Sequence, residues 1–228
     1  MIPLRDENPT RRVPFVNYAL IAINVLVFLW QLSLGDQGQA ALYQLALVPF
    51  DVSRGLDLGD ARAVLTSMFM HAGLAHLLGN MLYLWIFGDN VEDALGHFRY
   101  LFFYLAGGAA ASATHILLYP NSTVPTVGAS GAIAATLGAY LLLFPNRRVV
   151  TLIPLGFFLQ VARLPAILVL GAWFLLQLFQ GSLSLGMEQL GGVAFWAHIG
   201  GFAFGMLFGP LLRQRVKAVA YRGEWNRW

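Results

Sequence analysis

The stretch AFWAHIGGFAFGMLFGPLL, residues 194–212, decides the kind of fold that this chain adopts. It contains no charged residue, and its length as an α-helix is about 28 Å, close to the roughly 30 Å hydrocarbon core of a bilayer. Similar runs recur along the chain, and only 11% of the 228 residues are charged. Since a soluble domain carries about 25% charged residues, we expect lipid to surround most of this protein.

Hydropathy predicts an all-α fold, a polytopic bundle of six transmembrane helices in one domain. The predicted spans are residues 14–33, 68–88, 98–118, 130–144, 164–179 and 194–212. Residues 1–13 would form an N-terminal segment and residues 213–228 a basic tail, on either side of a six-helix domain at 14–212. Only Arg54 and Arg62 among the basic residues fall on the side opposite the termini. The positive-inside rule therefore predicts that both termini are cytoplasmic.

Two apolar segments are not predicted as spans. The outer loop at 34–65 is partly apolar and is expected at the membrane interface. The segment from Val149 to Val161 contains Pro154 and Gly156, and it is expected to be interfacial on the cytoplasmic side. The chain has no cysteine, so it forms neither a disulfide nor a thiolate metal site. The net charge of +3 comes with basic residues that flank apolar runs, so lipid, and no nucleic acid, is the expected partner.

Polar side chains inside the predicted spans occur at one common depth. Ser130, His198 and His76 lie 17, 15 and 16 residues before the charged residue that ends their span on the cytoplasmic side. These separations correspond to about 22 to 25 Å of helix. Asn80 lies one turn deeper than His76, on the same helix face. Polar groups are costly in lipid, so their shared level predicts a wet cavity that opens outward.

Small residues surround both the serine and the histidine. They are Gly128 and Gly131 beside Ser130, and Gly201 and Gly205 after His198. Such residues allow two helices to approach closely enough for a Ser–His hydrogen bond of about 2.6 to 3.2 Å. A serine at the start of a helix also lies near free backbone N–H groups, where an oxyanion is stabilised. The side chains of His76 and Asn80 are candidates to donate to the same oxygen.

Other intramembrane chemistries lack their residues in this sequence. A zinc protease of the His-Glu-x-x-His type is not indicated, because His71 and His76 are five residues apart with no acid between them. Asp89 has no second carboxylate in another span, which argues against an aspartyl protease. A transporter would be expected to show paired charges or broken helices at mid-membrane. Hydrolysis by serine, without metal or cofactor, is the chemistry that the residues favour.

The polar motifs resemble those of a known family, the rhomboid intramembrane serine proteases, in their six-span bacterial form. The motifs are Gly128-Ala129-Ser130-Gly131, Ala197-His198-Ile199-Gly200-Gly201 with Gly205, and His71, His76 and Asn80. The resemblance implies a catalytic dyad of Ser130 and His198, and an oxyanion site made by the Ser130 N–H with His76 and Asn80. It implies that Trp173 and Phe174 gate the lateral entry of transmembrane substrates, and that the protein lies in the bacterial cytoplasmic membrane.

One departure from the family pattern bears on the histidine. Some relatives stack an aromatic ring, one turn after the serine, against the catalytic histidine, and this chain has Ala134 there. Another group must therefore hold His198, and the sequence does not identify it. Gln177, in the fifth span, is expected to form an interhelical hydrogen bond. The alternative function is a non-catalytic relative that binds transmembrane segments, although such proteins usually lack the serine or the histidine.

Overall fold

The computed structural model describes residues 1–55, 57–155, 158–185 and 192–214, which form nine α-helices and three β-strands. The helices are α1 (Phe15–Ser33), α2 (Gly38–Leu45), α3 (Pro49–Val52), α4 (Leu58–Ser67), α5 (Leu74–Leu95), α6 (His97–Leu118), α7 (Ser130–Leu143), α8 (Ala166–Leu183) and α9 (Phe195–Leu212). The predicted helical bundle is confirmed. Each of the six predicted spans overlaps a helix, although α5, which corresponds to the second predicted span, lies about six residues later than predicted.

Four of these helices, α1, α6, α8 and α9, are long and apolar enough to cross a membrane. Helix α5 is less apolar because it carries His76 and Asn80 near one end and Asp89 near the other. Helix α7 has only 14 residues and is buried along almost its whole length. The six-span count and the cytoplasmic termini therefore remain predictions. Most of the predicted basic tail, at 215–228, lies outside the described residues.

The outer surfaces of the long helices carry many large apolar side chains, while several polar side chains are buried inside the bundle. Large apolar side chains such as Leu26, Phe102 and Leu207 are exposed on the outer surfaces of the long helices. The side chains of Asn17 and Asn24, by contrast, are fully buried. Polar side chains in lipid are placed inside a bundle, where they find partners, so this distribution fits a bilayer.

Helix α7 forms the centre of the bundle, and its closest neighbour is α9. Only glycine fits on α9 where the two helices cross. A Cβ atom added at Gly201 would overlap the carbonyl oxygen of Gly131, and one added at Gly205 would overlap that of Ala135. The small residues predicted to bring these helices together therefore lie at the contact itself.

A three-stranded antiparallel sheet corrects the all-α prediction. Its strands are β1 (Ile2–Asp6), β2 (Arg148–Leu155) and β3 (Phe158–Pro165), in the order β1-β2-β3. The segment expected at the interface thus contributes to two antiparallel strands, β2 and β3, and its β-branched residues Val149, Val150 and Thr151 favour strand formation. The hydroxyl of Tyr140 on α7 donates to Asp6 Oδ2 at 2.6 Å, which attaches the sheet to the bundle.

The acidic end of α5 holds the start of α1. The Glu92 carboxylate is fully buried and accepts the backbone N–H groups of Val16 at 3.1 Å and Asn17 at 2.7 Å. His97 Nδ1 lies 2.5 Å from the same carboxylate. A carboxylate at a helix N-terminus satisfies otherwise free N–H groups and opposes the positive end of the helix dipole. Glu92 therefore fixes α1 against α5.

Candidate active site

The loop that leads into α7 is held by backbone hydrogen bonds from the outer loop. Leu47 and Thr126 exchange two such bonds, of 3.0 and 2.7 Å, and the Gly128 N–H donates to the Ser67 carbonyl at 2.8 Å. Gly128 has a φ of 130°, a conformation that favours glycine. A Cβ atom there would also lie 2.8 Å from His76 Nε2. The loop can therefore pass directly beneath His76 only with glycine at this position.

Ser130 and His198 meet where α7 and α9 cross. His198 Nε2 lies 2.8 Å from Ser130 Oγ, so the hydroxyl is placed to donate to the ring. Both residues are half-buried. Among the described residues no side chain caps the first turn of α7. The N–H of Ser130 lies in that turn, where helix geometry provides no intrahelical acceptor and the dipole favours negative charge.

The two predicted side-chain oxyanion donors lie on α5 and line the same cavity as Ser130. Asn80 Nδ2 is 3.0 Å from His71 Nε2, so His71 holds the amide of Asn80 in place. His71 is itself buried, and its backbone N–H and C=O both bond the side chain of Gln31, each at 3.1 Å. One amide hydrogen of Asn80 remains for another acceptor. The arrangement suits stabilisation of a negative oxygen near Ser130.

The polar side chains of the candidate site line a cavity of about 560 Å³. Ser130, His198, His76 and Asn80 all contribute to its walls. It is large enough for several residues of an extended peptide together with water. The described residues contain no group of three or more His, Cys, Asp or Glu side chains that could hold a metal ion.

The two predicted gate residues have different surroundings. Trp173 lines the cavity, and its ring centroid is 5.9 Å from that of His198. Phe174 instead stacks on Phe202 of α9, with ring centroids 4.5 Å apart, and it is not among the described residues that line the cavity. The geometry brings Trp173 to the site and places Phe174 in the α8–α9 interface.

The sequence did not identify Gln177 as a partner of the histidine. Gln177 on α8 forms the interhelical hydrogen bond that was expected of it, and its acceptor atom Oε1 lies 2.7 Å from His198 Nδ1. Two signals pointed to it: its polarity within an apolar span, and its position one turn after Trp173. Neither signal specifies a partner, because the packing of α8 against α9 is a tertiary feature.

Outside the helical bundle, one carboxyl group has a strongly shifted pKa. Burial raises the pKa of Asp6 to about 6, and the nearby charge of Asp89 acts in the same direction. The hydrogen bond from Tyr140 opposes this shift and only partly compensates for it. Asp6 lies in β1, so its protonation state affects the attachment of the sheet to α7.

Comparison with known proteins shows which family the chain resembles. A sequence model of the rhomboid domain matches residues 59–215. The chain is 30% identical to Rhomboid protein 1, mitochondrial, of Saccharomyces cerevisiae over 91% of its own length and 58% of that protein. It is 34% identical to Rhomboid protease GluP of Bacillus subtilis, over 63% of the chain and 27% of that protein. It is 26% identical to the human Presenilin-associated rhomboid-like protein, mitochondrial, over 83% and 46% of the two lengths.

The fold and the family match together define an integral membrane protein with several apolar helices. The chain belongs to the rhomboid family, as its motifs predicted. It spans about 58%, 27% and 46% of the lengths of these three relatives.

Proposed function

We propose that this protein is an intramembrane serine endopeptidase, with Ser130 as nucleophile and His198 as general base. The observation that carries the proposal is the 2.8 Å contact between Ser130 Oγ and His198 Nε2 on the wall of a large cavity. A nucleophile and a base within hydrogen-bond reach, beside free backbone donors, are the parts that acyl transfer requires. One of the relatives, the GluP protein, carries the word protease in its name.

The geometry supports a two-step reaction. Ser130 Oγ attacks the scissile carbonyl carbon while His198 Nε2 takes the hydroxyl proton. The oxyanion that forms accepts hydrogen bonds from the Ser130 N–H and from the side chains of His76 and Asn80. The C–N bond then breaks as His198 protonates the leaving amine, which leaves an acyl group on Ser130. Water in the cavity, deprotonated by His198, hydrolyses this ester and restores the serine.

The proposed substrates are transmembrane segments of other proteins. Because the amides of a membrane helix are bonded within the helix, cleavage requires a segment that unwinds when it reaches the cavity. Trp173, which lines the cavity, is the proposed gate residue; Phe174 contributes through its packing on Phe202. We place the protein in a bacterial cytoplasmic membrane, with six spans and both termini cytoplasmic. The proposed reaction needs no cofactor.

The test compares purified protein with two inactive variants and one control. We expect the wild type to react with a fluorophosphonate probe and to cleave a panel of transmembrane substrates in proteoliposomes. Ser130→Ala and His198→Ala should abolish both signals. Ser112→Ala is the matched control, since Ser112 lines the same cavity and has no role in the proposed reaction.

The outcomes separate the two candidate functions. Cleavage that persisted in both Ser130→Ala and His198→Ala would show that the dyad assignment is wrong. A wild type that neither reacted nor cleaved, yet retained transmembrane segments in a pull-down, would favour the non-catalytic binder.

A further inference from the structure

His198 has a second polar contact, on the side of the ring that faces away from Ser130. Its Nδ1 atom lies 2.7 Å from Oε1 of Gln177, while its Nε2 atom lies 2.8 Å from Ser130 Oγ. The Gln177 side chain is only 7% exposed. Three residues from three helices, α7, α9 and α8, therefore form one continuous hydrogen-bonded chain.

The chemistry of this chain assigns the proton on the ring. A neutral imidazole carries one N–H, and the nitrogen that accepts the serine proton must be bare. The proton of His198 is therefore on Nδ1, where the amide oxygen of Gln177 accepts it. An amide oxygen stabilises this tautomer and no other, since it has no proton to give.

Local packing holds Gln177 where this bond can form. One turn before it, Trp173 lies against the His198 ring, and one turn after it, Gly181 lets α9 approach. A Cβ atom at Gly181 would be 3.2 Å from Ile199 Cδ1, and the Trp196 indole N–H donates to the Gly181 carbonyl at 3.1 Å. Helix α8 therefore contacts α9 both one turn before and one turn after Gln177.

The serine helix offers the histidine no comparable support. Ala134, one turn after Ser130, is fully buried and presents only a methyl group. A methyl group can neither accept the Nδ1 proton nor limit rotation of the ring about its Cβ–Cγ bond. The orientation of His198 is therefore controlled from α8, by Trp173 on one face and by Gln177 at Nδ1.

We propose that Gln177 is the positioning residue of the dyad, which fixes the tautomer and the orientation of His198. This inference rests on the proposed proteolytic function. Because its amide is neutral, Gln177 stabilises the imidazolium formed during the reaction less than a carboxylate would. The other titratable side chains among the described lining residues of the cavity are His76 and Tyr83 from α5, His115 from α6, and Tyr119, which follows α6. The described lining residues include no carboxylate.

Two substitutions test the role of the amide oxygen. Gln177→Met keeps the length of the side chain and removes the acceptor; kcat should fall about 10- to 100-fold with KM unchanged. Gln177→Glu keeps an acceptor and adds a charge beside the ring. It should retain turnover above neutral pH and move the acidic limb of the kcat profile to higher pH by about one unit. Gln180→Met, on the same helix, is the matched control and should behave as wild type.

The outcomes distinguish this inference from the proposed function. The inference is overturned if Gln177→Met retains the wild-type kcat, or if the profile of Gln177→Glu is unshifted, in a preparation where Ser130→Ala is inactive. If Ser130→Ala cleaves as wild type does, the proposed function itself fails, and the role of Gln177 fails with it. A purely structural role of Gln177 would lower the yield of folded protein in both variants without moving the pH profile.

Discussion

The closest helix crossing in the bundle offers a sharp test of how the dyad is assembled. Gly205 lies two turns after His198 on α9, directly against the backbone of α7. In Gly205→Ala, the new methyl group would overlap the carbonyl oxygen of Ala135 and would also lie within 3 Å of its Cα and carbonyl carbon. These are backbone atoms of a buried helix, so they cannot rotate away. Helices α7 and α9 would have to separate by about 1 Å to restore ordinary contacts.

Two opposing effects determine how much Gly205→Ala changes the free energy of unfolding. Alanine is more favourable than glycine inside a helix by about 0.5 to 1 kcal/mol. Overpacking costs about 1 to 3 kcal/mol, and we expect a cost near 3 kcal/mol here because the overlapped atoms belong to the rigid backbone of α7. The expected net loss of stability is about 2 kcal/mol. A displacement of about 1 Å between nucleophile and base should also lower the cleavage rate about 100-fold.

A second glycine provides the control. A Cβ atom at Gly171 on α8 meets nothing within 4 Å, so Gly171→Ala should be neutral or stabilising by up to about 1 kcal/mol. Unfolding of both variants in detergent would be followed by denaturant titration, and cleavage would be measured under native conditions. The reasoning is refuted if Gly205→Ala unfolds with wild-type stability or cleaves within about twofold of wild type.

Three further predictions concern groups in and around the bundle. Glu92→Gln removes the buried charge that accepts the N–H groups of α1, and should cost about 3 kcal/mol in the same titration; a loss under 0.5 kcal/mol would contradict this role. Asn80→Ala removes a proposed oxyanion donor and should lower the kcat of the folded protein about 10²- to 10³-fold; because it also removes the buried hydrogen bond to His71, it should cost about 1 to 3 kcal/mol of stability, and equal turnover would exclude Asn80 from the oxyanion site. Because the pKa of Asp6 is raised to about 6 in the folded protein, its stabilising contribution is complete below its ordinary pKa of 3.8 and is lost as the pH rises through 6. The melting temperature of the wild type should therefore fall relative to that of Asp6→Asn between about pH 4 and about pH 7, and parallel curves would disprove it.

Local sequence patterns were sufficient for the helical bundle and for the small residues at its centre. Hydropathy depends on composition over about 20 residues, so all six predicted spans overlap helices. Helix ends were less predictable, because the polar residues near Asp89 end the apolar run without ending α5. The sheet was missed since β1 lies in the first six residues and its partner strand begins at Arg148. No local pattern reports a pairing across such a separation.

The same distinction between local sequence patterns and tertiary contacts applies to the candidate site. The sequence by itself determined that this is a membrane protein of the rhomboid family. It also predicted one depth for Ser130, His198 and His76, with Asn80 one turn deeper, because rise per residue converts spacing into height. Only the tertiary structure decided which atoms meet. The 2.8 Å contact of Ser130 with His198 and the 2.7 Å contact of His198 with Gln177 depend on how three helices cross. The angle and rotation at which two helices cross depend on the fit of their whole surfaces, to which Gly181, Gly201 and Gly205 all contribute. Residue spacing along one helix carries no information about the rotation of that helix against its neighbour.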